Sequence, residues 1–557
     1  MRLIRSYIYA ILLLAIISFG FVRTQQMDIF REIARSQQQI MTVYKYLVTE
    51  YIHELDISEL TTRIIDSMLS NFDPYTEYYE QKDLEDLSLK TEGEFSGVGL
   101  EIYIYEDQLT VVSPIEGSPA ARSGIYTGDA IINIDGQSTA DLELKDATTK
   151  IRGKAGTEVI LTIKKPITGE VQDYSIIRDV ITIKDIPFYG MINDNVGYLR
   201  ITNFSVNTAS ETKDAMISLL QDGASNVIID LRDNPGGLLS SSLDLLDLIL
   251  PKNLELVSTK GREGKSIKNY KTLNNALIPE KINIAVLING ASASASEIVA
   301  GVLQDYDRAV VLGSQSFGKG LVQTVIGISQ DTALKITNSK YYIPSGRSLQ
   351  KREFIDGDLI ADSSTIEDSL FLTKAGRTVV GGGGIAPDII VKDEGSYPLA
   401  ASILRSGAYF KFVQENNDQY ASIDEVLADN ELMTKFKVFI EENDISGYVD
   451  GQEDLKLAKE KLSKKDEKNL FINNAFSVIE KQIEKNQSAM FEDEKEIIER
   501  MILGEFAFYY SGYKGRYNLY LKDDIVVLKA LEIFADESQY LSILSNTEPT
   551  KVASLNN

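Results

Sequence analysis

The chain has no cysteine, and among its 557 residues there is a single histidine, His53. The first absence removes disulfides, thiolate zinc sites and cysteine nucleophiles together, and leaves the redox compartment open. The second argues against a Ser-His-Asp triad and against an H-E-x-x-H zinc site. His53 itself, in the helix-like run YIHE, reads as a surface or interface histidine. Positive charge is also short: 57 Lys and Arg against 82 Asp and Glu leave a formal charge of −25. That balance disfavours a nucleic-acid partner, since phosphate neutralisation supplies most of such affinity, and it says little about fold. With 43% hydrophobic and 25% charged residues, long disorder is not expected. The length calls for three or four domains.

One uncharged run stands out at the start. Arg2 and Arg5 precede Ser6–Val22, and Arg23 closes it. The length lies between a signal-peptide core and a short membrane span, so residues 1–24 read as a signal anchor or signal peptide. Ser18-Phe19-Gly20 is a passable cleavage site, and no cysteine follows to carry a lipid anchor. Charge before the run predicts an inside N-terminus and export of the rest, to a cell envelope or periplasm. Residues 25–90 read as an N-terminal helical region, with amphipathic periodicity over 27–70, and long exposed helices of this kind call for a partner, which points to a homodimer. NFDPYTEYYE is a turn led by Asp73-Pro74.

Residues 91–186 alternate as strands joined by Gly and Asp turns, with short helical pieces at AARSG and LKDATTKIR. From 187 to 395, apolar strands (NVGYLRI, NVIIDLRDNPGG, INIAVLIN, AVVLG) alternate with helical runs, the pattern of an α/β layer with its sites at strand ends. Residues 396–557 read as a charged, α-helical domain without a motif that carries chemistry.

The stretch INGASASASEIVAG poses the functional question, because three serines spaced by alanines stand where a strand gives way to a helix. A serine there caps the helix, or it attacks a carbonyl whose developing charge the helix dipole and free N–H groups stabilise. With histidine excluded and carboxylates too acidic, a base would have to be a neutral lysine, as in Ser-Lys pairs. A free lysine, with a pKa of about 10.4, must be lowered by about three units through burial away from acids. Lys319 in SFGKG is the candidate, with no acid in 313–329.

Two resemblances sharpen this reading. SGVGLEI, GSPAARSGIYTGDAIINIDG and KAGTEVILTI resemble a PDZ domain. The resemblance implies that the N–H groups around Gly97, Val98, Gly99 and Leu100 receive a peptide's terminal carboxylate while the peptide adds as an edge strand. NGASASASEIVAGVLQDYDRAVVLGSQSFGKGLVQ resembles the active-site stretch of the carboxyl-terminal processing proteases, tail-specific serine peptidases with a crotonase-like α/β core. That resemblance implies Ser294 as nucleophile, Lys319, 25 residues on, as base, and Gln323 as the residue orienting it. DLRDNPGG implies an oxyanion hole from Gly236 or Gly237 together with Ala295, and Arg152 in KIRGKAGT becomes a candidate for coupling peptide binding to activity. No metal or cofactor is implied, and the partners would be polypeptides with apolar C-termini. Asp305 has been considered a third member in relatives, but eleven residues of helix put it about 16 Å from Ser294, so it reads as structural. Gln323 can reach Lys319 only through a bend, since four extended residues span about 13 Å. Competing readings are an inactive membrane-tethered PDZ scaffold, a carrier of hydrophobic ligands, and a structural envelope protein.

Overall fold

Strand periodicity and helix periodicity alternate from residue 187 onward, and the fold follows from giving each apolar face a layer. In this computed structural model the described residues are 29–545, apart from 106–107, 116, 166–168, 352, 356–357, 362–369, 392–396, 444, 446–451 and 464–469. The expected signal or anchor run, 1–24, lies outside them. Among the described residues no helix is long and apolar enough to cross a membrane.

Residues up to Tyr78 form one compact unit and the bulk of the chain a second. In the first, helix α1 (29–50) and helix α2 (Ile57–Leu69) are joined where Tyr44 Oη hydrogen-bonds Thr61 Oγ1 at 3.0 Å. Asp73 forms the expected turn, its Oδ1 accepting from Tyr75 N at 2.8 Å. Ile29, Phe30, Ile33 and Ile40 are exposed, as is His53.

The second unit opens with α3 (Gln81–Glu92) and β1 (Glu94–Gly97). An antiparallel sheet follows, built from β2 (Leu100–Tyr105), β3 (Gln108–Pro114), β4 (Ala130–Ile134), β5 (Glu158–Lys164) and β6 (Val171–Ile177), paired in that order. Helix α4 (Leu144–Ile151) packs on it through Ala147 and Ile151. Strand β7 (Asp179–Thr182) returns to pair with β1. Because β2 comes first in the sheet, its outer edge has no neighbouring strand among the described residues.

The α/β layer is a six-stranded sheet. Its strands, in chain order, are β8 (Phe188–Met191), β9 (Val196–Arg200), β10 (Asn226–Asp230), β11 (Asn283–Ile288), β12 (Val310–Gly313) and β15 (Ile389–Ile390), and they lie side by side in that sequence. Only β8 runs antiparallel to its neighbour. The connecting helices are α5 (Thr208–Gln221), α6 (Leu239–Ile249) and α7 (Ala295–Asp305). A side hairpin, β13 (Leu321–Gly327) and β14 (Ala333–Tyr342), carries the segment after Lys319.

Period-two alternation gives the sheet two buried faces. Val227, Ile229, Val286 and Val311 meet α5, α6 and α7, whereas Ile228, Ala285, Leu287 and Leu312 point the other way. The second face is covered from the far end of the chain. Beyond α8 (Pro398–Arg405), α9 (Ala408–Asn416) and the long, kinked α10 (Lys495–Tyr520), helix α11 (Ile525–Ala535) lays Val526, Val527, Ala530 and Ile533 on it. The helical region therefore has its own core around Phe412, Phe436 and Phe506 and also completes the α/β layer.

One ion network fastens this closing layer. Asp230, at the end of β10, accepts from Tyr198 Oη at 2.7 Å and pairs with Arg200 at 2.8 Å. Arg232 pairs with Asp230 and, at 2.8 Å, with Asp524, whose carboxylate also caps α11 through Val526 N and Val527 N. Burial pushes the Asp230 carboxyl upward, but Arg232 and Arg200 outweigh it and hold it below the usual range. Asp524→Ala is expected to destabilise the protein by about 2 kcal/mol, because it uncaps a helix and strips the part-buried Arg232 of one partner. Denaturant unfolding checks this through a lowered midpoint.

Candidate active site

The site forms where β11 ends and α7 begins. Ser294 precedes the helix with φ 55° and ψ −111°, a backbone conformation that a residue with a side chain holds only under surrounding constraint. Its neighbours supply the constraint. Ser292 Oγ donates to Leu231 O at 2.8 Å, and Ser296 Oγ donates to Asn234 O at 3.0 Å. Both flanking serines are buried and lash the turn to the DLRDNPGG loop, while Ser294 between them keeps partial exposure. The three-serine pattern thus resolves into two ties and one accessible hydroxyl.

The glycine loop lies directly against this turn. Gly236 has φ +101°, and a Cβ there would sit 2.8 Å from Ser294 Cβ and 3.0 Å from Ala295 N. Only glycine permits that approach. The Gly236 N–H is donated to Asn234 Oδ1 at 2.8 Å, so it is engaged within its own loop. Gly237 follows with φ +146° beside Phe204, and Ala295 is the first, buried residue of α7.

Lys319 belongs to a different segment, and two side chains join its main chain to that of Ser294. The first is Glu297, one turn into α7 and fully buried. Its Oε2 accepts from Ser294 N at 2.8 Å and from Lys319 N at 2.9 Å. Its Oε1 accepts from Gly318 N at 2.7 Å and from Ser316 Oγ at 2.6 Å. The two main-chain nitrogens are thereby held within about 6 Å, the reach of two hydrogen bonds. The second is Tyr341, buried on β14, whose hydroxyl donates to Lys319 O and lies 3.4 Å from Ser294 O. Burial, with Glu297 nearby, drives the Tyr341 phenol well above its ordinary value, so it remains a donor. Phe317 N also donates to Ser292 O at 3.0 Å, a third tie between the segments.

Glu297 revises one expectation. No acid occurs near Lys319 in sequence, but the fold brings a carboxylate beneath its main chain. Burial pushes the Glu297 pKa up to about 7, against the pull of its four donors. The signal was the glutamate of S-A-S-E, three residues after the capping serine, which reads as an ordinary capping box.

The other expected residues are placed as follows. Gln323 sits on β13 next to a register shift and donates to Thr337 Oγ1 at 3.2 Å. Asp305 is at the far end of α7, in a buried ion pair with Arg347 at 2.8 Å, consistent with a structural role. Arg347 also donates to Gln304 Oε1 at 2.8 Å, which accounts for the arginine of PSGRSLQ.

Comparison with known proteins agrees with this architecture. The family described as Peptidase family S41 matches residues 195–360, a PDZ domain matches 110–165, and "Probable PDZ-protease, C-terminal helical domain" matches 399–534. A "Carboxy-terminal-processing protease" of Bartonella bacilliformis is 37% identical over 60% of this chain and 77% of that one. The chain belongs to the carboxy-terminal-processing serine protease family. A "Probable CtpA-like serine protease" of Staphylococcus aureus (strain COL) is 33% identical over 64% of this chain and 69% of its own. The solved photosystem II D1 C-terminal processing protease is 24% identical, covering 63% of this chain and 86% of that one, with a TM-score of 0.35.

In this family member the PDZ loop is built as follows. Val98 O accepts from Ala120 N and Gly99 O from Ile115 N, each at 2.9 Å, which turns the carbonyls of the loop inward. Gly97 closes β1 and Leu100 opens the edge strand β2. Arg152, just past α4, bonds Asp86 of α3 at 3.0 Å and lies 5.2 Å over the Phe95 ring.

Glu297→Gln is expected to fold but to lower kcat by about 10²-fold with little change in KM, because an amide nitrogen would face N–H donors and spread the two segments. The substitution also has a pH signature. A folded pKa near 7, above the usual 4.5, makes the carboxyl's contribution to stability full below pH 4.5 and lost as pH rises through 7. Wild type should therefore lose up to about 3 kcal/mol relative to Glu297→Gln across that window. Parallel unfolding curves from pH 4.5 to 8 measure the difference, and a constant gap would exclude it.

Proposed function

We propose that the chain is an exported endopeptidase that cleaves proteins near apolar C-termini with Ser294 as nucleophile and Lys319 as general base. The observation that carries this is the shared pair of anchors, Glu297 and Tyr341, that join the main chains of those two residues. An uncharged Lys319 amine takes the Ser294 proton as the hydroxyl attacks the peptide carbonyl. The oxyanion then forms in front of the N–H groups of Ala295 and Gly237, since that of Gly236 is donated to Asn234. The lysine ammonium protonates the leaving amine, and water, deprotonated by the same lysine, releases the acyl group. Gln323 orients the lysine side chain.

The substrate's terminal carboxylate docks on the N–H groups of Gly97, Val98, Gly99 and Leu100, and its last residues extend the sheet along β2. Arg152 couples that docking to the core through its contacts with Asp86 and Phe95. Residues 1–24 direct export, as a cleaved signal peptide or a retained anchor, and the exposed apolar residues of α1 pair two copies.

A peptide ending in apolar residues should be cleaved by wild type, and Ser294→Ala and Lys319→Ala should each lower turnover by at least about 10³-fold. A serine-directed phosphonate should label Ser294 in the wild type. Undiminished cleavage by both variants would overturn the assignment.

A further inference from the structure

The edge strand β2 has two faces, and they look at different parts of the chain. Leu100, Ile102 and Ile104 point into the PDZ core beside α4. Glu101, Tyr103 and Tyr105 alternate with them and point outward. That outward face meets the helical region. Tyr103 Oη donates to Arg405 O at 3.3 Å, and the Tyr105 ring stacks on Phe410 at 5.3 Å with 14° between planes. The approach is close enough to require a glycine: Gly407 has φ +71°, and a Cβ there would fall 1.6 Å from Tyr105 Cε1. Toward the other end of the strand Tyr103 is 41% exposed and Glu101 is exposed in part of its surface, with Arg516 of α10 close enough to act on its carboxyl.

We propose that the helical region is the second wall of the peptide groove, and that Tyr103, backed by the Arg405–Phe410 corner, reads the substrate upstream of its last three residues. This rests on the peptide-docking reading above. A peptide whose carboxylate lies at residues 97–100 runs antiparallel to β2, so its last residue lies opposite Leu100 and its fourth-last opposite Tyr103. Opposed residues of an antiparallel pair share a face. The last and third-last side chains therefore enter the PDZ core pocket, while the second-last faces Glu101 and the fourth-last meets Tyr103 and the helical wall. Cross-strand pairing favours an aromatic or bulky apolar side chain opposite Tyr103.

The test uses the full chain carrying Ser294→Ala, so that bound peptide survives, and three N-acetyl peptides. One is a hexapeptide with phenylalanine at the fourth-last position, the second has alanine there, and the third is their common last three residues. The phenylalanine hexapeptide should bind about two- to fivefold tighter than the alanine one, the size of one cross-strand pair. Adding Tyr103→Ala, or Gly407→Ala to push α9 off the strand, should erase that difference and leave the tripeptide's affinity unchanged within about twofold. Retained tripeptide binding also shows that each variant is folded. Equal binding of the two hexapeptides, or a preference that survives both substitutions, overturns the second wall while leaving the docking reading intact. No binding of any peptide takes both down.

Discussion

A single buried carboxylate organises the candidate active site. Glu297 accepts two bonds on each oxygen, from Ser294, Ser316, Gly318 and Lys319, and so gathers two segments that the sequence separates. Each of those donors would otherwise be an unsatisfied polar group under the protein surface. The strained backbone of Ser294 is tolerable only in that setting, because its N–H, the glycine loop and the flanking serines all over-determine it. Tyr341 repeats the link from the carbonyl side. The main chains of Ser294 and Lys319 are thus tied together from both the N–H and the carbonyl side.

The α/β sheet makes this geometry rigid from behind. Its strands are apolar on both faces, and the second face is covered by helix α11, drawn from more than two hundred residues beyond the site. Arg232 connects the two ends, since it touches Asp230 at the root of the glycine loop and Asp524 at the head of α11. The helical region is therefore a structural part of the protease layer. The same region reaches the PDZ edge strand at Tyr103 and Tyr105, so core and PDZ domain share one scaffold.

Much of this was legible in the residues. Strand and helix periodicity gave the α/β order correctly from NVGYLRI to AVVLG, because those strands are buried on both faces and read as continuous apolar runs. The serine-rich turn and the glycine loop announced themselves through residue types that few other structures need. Other features were hidden for physical reasons. Glu297 looks like an ordinary capping residue, since capping and bridging use the same carboxylate and differ only in what else arrives. The spacing of Val526, Val527, Ala530 and Ile533 marks an amphipathic helix but names no partner face. An acid-free window around Lys319 says nothing of acids brought by the fold, and hydrogen bonding of the Gly236 N–H within its own loop is invisible without coordinates.

Hydrogen exchange of the main-chain amides tests the organising role of Glu297 most directly. If the carboxylate binds the lysine segment to α7, peptides covering 316–320 and 292–297 should exchange as slowly as the core strand Asn283–Ile288. Exchange of 316–320 at the rate of an exposed loop, while the core strand stays protected, would contradict the account.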